Sequence, residues 1–383
     1  MGDLVSSLRP MVPGTGLYVH IPFCRIKCHY CDFACWPGLE DRVGEYLGAV
    51  AREWSCYPAE MEVASLYVGG GTPSLLTPEQ VHRLLSDLRA RGRWHESLEA
   101  TFEVNPGTGG PALWRSLRKA GINRISMGVQ VMDDAMLRAI GRDHGVAEVR
   151  RTTWELREAG FTDVSMDLIY GLPEQSFAAW EDTLRQVIDL GPAHMSLYSL
   201  QVEDRTLFGL RASQGRLEVP DEDRVREMHD VAVVRLAEAG YRRYEIASWC
   251  RPGHESVHNR IYWSHRPFVG LGTGAHSWDG VRRYAHDRSF RGYLADPSPR
   301  LEVPPEAQDL SFDTALIMGL RRVDEGIDPL EFKERFGLDP FEVHAVALGK
   351  FLEEGLLERA DGRLRLTAEA IPLANVVFAE LLR

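Results

Sequence analysis

The sequence predicts an α/β fold: an incomplete (β/α)6 barrel followed by a winged-helix-like α+β domain at the carboxyl end. Three observations support this prediction. Short β-rich runs alternate with amphipathic helical stretches through the first two-thirds of the 383 residues, the alternation ends near residue 205, and helices followed by a hairpin begin near residue 304. Repeated βα units are typical of a parallel sheet, and six units leave such a barrel open.

The predicted strands are short runs of branched and aromatic residues, and the predicted helices begin near Thr, Asp, Ser or Pro. The strands are 17–21, 65–68, 99–104, 124–128, 163–169 and 194–200. The helices between them include 39–54, 78–91 and 177–190. In βα barrels the reactive groups come from the carboxyl ends of the strands and the loops that follow them. We therefore expect the functional residues at that end.

The pattern divides the chain into three predicted regions. These are a barrel (1–205), a segment covering its open side (206–303) and the winged-helix-like domain (304–383). The second region contains a predicted helix at 220–240, a strand at 244–248 and a Gly-, His- and Trp-rich stretch to 278. In the third, helices at 307–321, 329–336 and 340–354 precede a hairpin at 357–366 with an Asp361-Gly362 turn. Winged helices often bind DNA, but fold does not fix function, and we expect a packing or partner-docking role here.

Composition limits the class of protein. A hydrophobic content of 44% supports a sizeable core, and a formal net charge of -12 argues against a nucleic-acid partner, whose phosphates require basic surface. The first seven residues lack a charged and apolar signal segment, and no long apolar run follows. Six cysteines, three of them within eight positions, do not resemble a disulfide framework. We expect a cytoplasmic protein, with peripheral attachment to a membrane left open.

Cys24, Cys28 and Cys31 form a C-x3-C-x2-C motif. Thiolates are the usual protein ligands of iron–sulfur clusters, and a four-iron cube held by three of them keeps one iron open for another ligand. The alternative is a zinc site with His20 or His29 as the fourth ligand, although zinc sites usually pair their cysteines closely and complete the set at a distance. Cys35 is interpreted as an incidental buried thiol.

Residues 16–23 predict a strand that runs directly into Cys24, with the sequence Gly-Leu-Tyr-Val-His-Ile-Pro-Phe. Together with the cysteine motif, this strand resembles the radical S-adenosylmethionine (radical SAM) superfamily, in the branch of oxygen-independent coproporphyrinogen III oxidases and HemW-type heme chaperones. The resemblance implies a 4Fe-4S cluster on the three cysteines, with SAM chelating the open iron. It also implies that an electron, from a donor such as a flavodoxin or ferredoxin, cleaves SAM to a 5′-deoxyadenosyl radical. The protein would supply binding, orientation and exclusion of oxygen and water.

Polar and glycine residues at the ends of the later predicted strands suit a bound cofactor. Glycines let the backbone approach a ligand closely, carboxylates accept hydrogen bonds from hydroxyls or an ammonium, and an arginine pairs with a carboxylate. By resemblance to the same branch, the residues at SAM-contacting positions are Tyr18, Gly70, Gly71, Thr72, Glu103, Gln130, Arg142 and Asp167. Arg124 and Arg138 are rivals of Arg142 for the arginine role.

Two features separate members of the branch. The oxidases carry a further cysteine two places after the third and an N-terminal extension, whereas this chain has Phe33 at that place and its motif begins at residue 24. Residues 258–263 match the H-N-x-x-Y-W motif of HemW-type chaperones, with His258, Tyr262 and Trp263. A heme requires an axial ligand and flat apolar walls, which these three could provide. Alternative heme ligands are His254, His265 and His276.

The sequence thus predicts a radical SAM heme chaperone that delivers heme to recipient hemoproteins, membrane-associated ones included. The first alternative is an oxygen-independent coproporphyrinogen III oxidase, which removes carboxyl groups from propionate side chains. The second is a zinc-stabilised interaction protein that docks through its carboxyl-terminal domain.

Overall fold

The structure, a computed structural model, describes residue 9 and residues 11–298, 300–301 and 311–382. All six predicted strands are present and pair in parallel, in chain order. The strands and the helices between them are β1 (Thr15–Ile21), α1 (Val43–Trp54), β2 (Glu62–Gly70), α2 (Pro78–Arg89), β3 (Arg93–Val104), α3 (Pro111–Lys119), β4 (Arg124–Gln130), α4 (Asp134–Ala139), α5 (Val146–Glu158), β5 (Asp163–Tyr170), α6 (Phe177–Leu190) and β6 (His194–Ser199). The predicted α/β architecture is confirmed.

The strands carry two kinds of face, as β1 illustrates. Leu17, Val19 and Ile21 belong to the large hydrophobic core that the strands share with the surrounding helices. Tyr18 and His20 alternate with them and lie on the inner face of the barrel. Burial of each large apolar side chain stabilises the fold by about 1.5–3 kcal/mol. The inner face is thereby left to polar residues.

The described residues of the segment 206–303 extend the sheet at both edges. Its elements are α7 (Leu207–Ser213), α8 (Glu222–Glu238), β7 (Arg242–Glu245), β8 (Ser248–Cys250), α9 (Val257–Trp263), β9 (Phe268–Leu271), β10 (His276–Trp278), β11 (Arg283–Ala285), α10 (Phe290–Ala295) and β12 (Arg300–Leu301). Strand β9 joins β1 in parallel, β8 joins β6 in antiparallel, and the resulting sheet has 12 strands. This pairing occupies backbone groups that the free edges would expose. The strand predicted at 244–248 is divided by a turn into β7 and β8.

Helix α9 closes the amino end of the barrel, opposite to the carboxyl ends of the strands. The buried carboxylate of Glu99, on β3, accepts hydrogen bonds from the backbone N–H groups of Val257 and His258, both at 3.0 Å. A carboxylate at a helix N-terminus satisfies free N–H groups and complements the helix dipole. This contact fixes the H-N-x-x-Y-W motif at the base of the barrel.

The carboxyl-terminal residues form helices and a hairpin around a hydrophobic core of their own. The elements are α11 (Ser311–Leu320), α12 (Pro329–Phe336), α13 (Pro340–Val343), α14 (Ala345–Glu353), β13 (Leu357–Ala360), β14 (Arg363–Leu366) and α15 (Ala374–Leu381). Positive φ angles at Asp361 (52°) and Gly362 (76°) confirm the predicted Asp-Gly turn. The Arg260 guanidinium, on α9, lies 2.7 Å from the Glu325 carboxylate and ties this core to the barrel.

Three sequence predictions fall partly or wholly outside the described residues: the absent signal segment at 1–7, the start of the helix at 307–321, and the regional boundary at 303/304. Within the described residues, every helix is too short or too polar to cross a membrane.

Candidate functional site

A cavity of about 570 Å³ opens at the carboxyl ends of the parallel strands, and all three motif cysteines line it. The cysteine loop is held at both ends. Backbone pairing of 23–24 with 36–37 closes it, and the Trp36 N–H donates to the Pro22 carbonyl at 2.8 Å. In its middle, the His29 N–H donates to the Ile140 carbonyl at 3.0 Å. The loop that carries the thiols is therefore anchored to the barrel on two sides.

The thiols differ in electrostatic surroundings. Hydrogen bonding with the Cys35 thiol is the main cause that lowers the pKa of Cys24, and it lowers the pKa of Cys31 to about 7. Burial raises the pKa of Cys28, although the Arg142 guanidinium lies 3.6 Å from its sulfur. Cys35 is buried, as expected, and it lines the same cavity as the three motif cysteines, which the sequence interpretation did not anticipate.

The zinc alternative requires an imidazole at the thiols, and the two candidate histidines are engaged elsewhere. Both ring nitrogens of His20 have partners: the Tyr18 hydroxyl at 3.0 Å and the Ala34 carbonyl at 2.7 Å. The Nδ1 atom of His29 lies 2.9 Å from the Ala139 carbonyl. Among the described residues, no group of three His, Cys, Asp or Glu side chains is arranged to hold a single metal ion.

The glycine loop after β2 fits closely against the cysteine loop. The Gly71 N–H donates to the Ile21 carbonyl at 2.8 Å, and the Thr72 N–H donates to the Phe23 carbonyl at 2.7 Å. A Cβ atom on Gly71 would lie 2.7 Å from the Phe23 oxygen and 3.0 Å from the Cys24 sulfur. Only glycine permits this approach, so the loop leaves the thiols open on the cavity side, as a cluster of several atoms requires.

Glu103 and Asp167 bring two carboxyl groups into the same cavity. Glu103 accepts hydrogen bonds from the Tyr67 hydroxyl at 2.8 Å and the Gly70 N–H at 2.9 Å, yet burial raises its pKa to about 7. Asp167 accepts from the Ser126 hydroxyl at 2.8 Å, and burial raises its pKa as well. These carboxyl groups suit a ligand that carries an ammonium or hydroxyl groups.

Arg142 crosses from the loop after α4 to the cysteines. Its guanidinium donates to the Asn105 side-chain oxygen at 2.9 Å and to the Gly128 carbonyl at 2.8 Å, which fixes it near Cys28. Gln130, at the end of β4, also lines the cavity and adopts a left-handed backbone with φ of 67°. Sequence reasoning missed Asn105, although its place two residues after Glu103 was a usable signal.

The structure thus brings together seven of the eight residues predicted to contact SAM, and Tyr18 is the exception. The seven that line the cavity are Gly70, Gly71, Thr72, Glu103, Gln130, Arg142 and Asp167. Tyr18 lies deeper in the barrel, where its hydroxyl bonds to His20 and its ring packs against Tyr67 at 6.0 Å. Arg124 also lines the cavity, but it is paired with Asp163 at 3.8 Å.

The three predicted heme residues, His258, Tyr262 and Trp263, are not among the residues that line this cavity, although Asn259 of the same motif is. His258 is 1% exposed, and its two ring nitrogens lie 2.7 Å from the Ser65 hydroxyl and 2.8 Å from the Tyr262 hydroxyl. The Trp263 ring is covered by the Arg321 guanidinium at 4.2 Å. In this arrangement His258 has no ring nitrogen left for an iron, which contradicts its prediction as an accessible axial ligand.

Comparisons with known proteins agree with this geometry. Residues 18–187 match the radical SAM superfamily, and residues 314–373 match the HemN C-terminal domain. The solved structure of coproporphyrinogen III oxidase (HemN) from Escherichia coli matches with a TM-score of 0.80 at 23% identity, covering 96% of this chain and 90% of that chain, and therefore has the same fold. The fold and the thiol cavity define a radical SAM protein with a HemN-type C-terminal domain.

Full-length relatives identify the family within that class. The heme chaperone HemW of Bacillus subtilis is 31% identical over 95% of this chain and 98% of its own length. HemW of Escherichia coli is 34% identical over 85% and 87%, and HemW of Mycobacterium tuberculosis (strain H37Rv) is 33% identical over 99% and 97%. The chain belongs to the HemW family.

Proposed function

We propose that the protein is a heme chaperone that binds a 4Fe-4S cluster and SAM at the thiol cavity and delivers heme to recipient hemoproteins. The observation that supports this most is the convergence of three thiols and seven expected cofactor residues on one cavity. Relatives named as heme chaperones match the chain from end to end. A flavodoxin or ferredoxin serves as the electron donor in this proposal.

In the proposed complex, Cys24, Cys28 and Cys31 hold the cluster, and Gly70 and Gly71 leave room for SAM beside it. Cluster and SAM together supply an electron and a cleavable carbon–sulfur bond. Glu103 and Asp167 are placed to accept hydrogen bonds from the ammonium or ribose hydroxyls of SAM, and Arg142 to pair with its carboxylate.

We place the heme at the mouth of this cavity and not at His258. The mouth has a rim of Arg25, Ile26, Phe33 and Tyr198, all of which line the cavity. Phe33 is 65% exposed and Ile26 is 42% exposed, although both are large apolar residues. A flat apolar macrocycle with anionic propionates would cover these two side chains and meet the Arg25 cation.

Heme titration of anaerobically reconstituted protein tests the proposal. We expect a Soret band that saturates with heme and heme transfer to an added apo-hemoprotein such as apomyoglobin. An Ile26→Ser, Phe33→Ser double variant should bind heme about a hundredfold or more weakly, since each apolar side chain contributes about 1.5–3 kcal/mol when covered. The Cys28→Ala variant should lose iron and sulfide, because two thiolates cannot hold the cube.

The controls separate the alternatives. Decarboxylation of coproporphyrinogen III in the presence of SAM and a reductant would favour the oxidase function. Full iron and sulfide content in Cys28→Ala would contradict the cluster assignment. Undiminished heme affinity in the double variant would show that heme does not bind at the rim.

A further inference from the structure

His194, the first residue of β6, is a fully buried histidine whose two ring nitrogens both have partners. Its Nδ1 atom lies 2.8 Å from the Ser165 hydroxyl, and its Nε2 atom lies 2.9 Å from the Tyr244 hydroxyl. The pairing of β5 with β6 places His194 directly opposite Ser165. His194 is not among the residues that line the cavity, so its effect on a ligand there passes through another side chain.

Ser165 connects His194 to the cavity. Its hydroxyl lies 3.2 Å from Oδ1 of Asp167, which is two residues further along β5 and therefore on the same face of the strand. At the other end, the N–H of Ser256, which precedes α9, donates to the Tyr244 hydroxyl at 3.1 Å. The contacts form a continuous hydrogen-bonded chain from the N-terminus of α9 to Asp167, one of the carboxyl groups in the cavity.

The donors and acceptors of this chain have one consistent order when Asp167 is ionised. A carboxylate only accepts, so the single hydroxyl hydrogen of Ser165 goes to Asp167, and His194 Nδ1 then carries the hydrogen that it donates to Ser165. A neutral imidazole with its hydrogen on Nδ1 accepts at Nε2, which suits the Tyr244 O–H. Burial, together with the nearby Arg124 cation, lowers the pKa of His194 well below its ordinary value, so the ring stays neutral.

We propose that His194 is a positioning residue for SAM binding: in its Nδ1–H tautomer it directs the Ser165 hydroxyl to Asp167 and so fixes the carboxylate that receives SAM. This inference rests on the proposed function in assuming that SAM occupies the cavity. In the opposite tautomer, with the hydrogen on Nε2, Ser165 would donate to Nδ1, and Asp167 would lose one of the hydrogen bonds that hold it in place. Tyr244 favours the first tautomer because it donates to Nε2.

Four variants of the full-length protein test this assignment. His194→Ala removes the ring, whereas His194→Asn keeps an amide N–H near the position of Nδ1. Tyr244→Phe keeps the aromatic ring and removes only the hydroxyl that donates to Nε2. The control is His229→Asn, at another buried histidine, which does not line the cavity and whose Nδ1 lies 3.1 Å from Asp230. Each variant is reconstituted anaerobically, and its SAM affinity is measured by calorimetry and its stability by denaturant unfolding.

We expect His194→Ala and Tyr244→Phe to bind SAM about tenfold more weakly, as the loss of about one hydrogen bond predicts. His194→Asn should recover most of the affinity, and His229→Asn should bind SAM like wild type even where its stability falls. Nitrogen NMR on protein with isotope-labelled histidine reports the tautomer directly, with or without SAM. The His194 signals, assigned by their loss in His194→Asn, should show Nδ1–H in wild type and Nε2–H in Tyr244→Phe.

Other outcomes would overturn the proposal. An Nε2–H tautomer in wild type, or wild-type SAM affinity in both His194→Ala and Tyr244→Phe, would show that His194 does not act on Asp167. A loss of affinity in His229→Asn equal to that in His194→Ala would assign the effect to lost stability and not to the hydrogen-bonded chain. Failure of the wild-type protein to bind SAM would instead contradict the proposed function, so the two failures are distinguishable.

Discussion

At the scale of single residues, Glu103 controls the charge of the cavity near neutral pH. Its two hydrogen bonds, from Tyr67 and Gly70, favour the ionised form, but burial outweighs them and raises its pKa to about 7. A carboxyl group with a pKa of about 7 is partly protonated near neutral pH. Its carboxylate form only accepts hydrogen bonds, whereas its neutral form also carries an O–H donor.

SAM binding should therefore depend on pH through Glu103. We expect the affinity for SAM to rise between pH 6 and 7.5, because Glu103 loses its proton across this range and its carboxylate then accepts hydrogen bonds from the N–H and O–H groups of SAM. Isothermal titration calorimetry at several pH values measures this. The Glu103→Gln variant should bind more weakly and with a flat profile. Asp143→Asn, which neutralises an exposed carboxylate at the same cavity, should keep the wild-type profile. An unchanged slope in Glu103→Gln would contradict the assignment.

Motif spacing predicted which residues reach the strand ends but not their depth in the barrel. Glu103, Gln130 and Asp167 belong to three different strands and meet because parallel strands end at one edge. Tyr18 lies on the inner face, as its strand period requires, but too deep to reach the cavity. The place of Cys35 at the cavity was not predicted, because it depends on backbone pairing between residues 23–24 and 36–37. Strands of two residues leave no recognisable pattern in the sequence.

At the scale of elements, the H-N-x-x-Y-W motif on helix α9 contains residues whose contacts stabilise the fold. The four-residue spacing of His258 and Tyr262 predicts neighbours on one helix face, which the structure confirms with a 2.8 Å hydrogen bond. Which end of the barrel the helix would occupy depends on Glu99, more than 150 positions earlier in the chain. No local pattern in the sequence carries that information.

Replacing His258 should lower the stability of the protein more than it lowers heme binding. The His258→Ala change removes a buried ring and leaves the Ser65 and Tyr262 hydroxyls without their partner. We expect the free energy of unfolding to fall by about 2–4 kcal/mol, measured by denaturant unfolding. The control is His82→Ala, at an exposed histidine, which should change the free energy of unfolding little. Unaltered stability together with lost heme binding would restore His258 as a ligand.

At the scale of the whole molecule, buried titratable groups make the stability of the fold depend on pH. Burial lowers the pKa of six histidines: His20 to about 4, His144, His258 and His265 to about 3, and His194 and His229 in the same direction. Burial also raises the pKa of three carboxyl groups: Glu103 to about 7, Asp324 to about 6, and Asp167 in the same direction. The histidines and the carboxyl groups have opposite effects on stability as the pH falls, and the histidines are more numerous.

The protein should therefore lose stability as the pH falls from 7 to 5. An unfolded histidine takes up a proton near pH 6.5, whereas burial lowers the pKa of these six in the folded chain, so their contribution to stability is full above pH 6.5 and declines as the pH falls toward their folded pKa values. Each proton that the unfolded chain binds and the folded chain does not lowers the free energy of unfolding by about 1.4 kcal/mol per pH unit. The three carboxyl groups offset only part of this loss. Denaturant midpoints at pH 7, 6 and 5 measure the decline. The His258→Gln variant should show a slope smaller by about one proton than wild type. A midpoint that holds or rises toward pH 5 would mean that these imidazoles accept protons in the folded state, against the burial seen in the barrel.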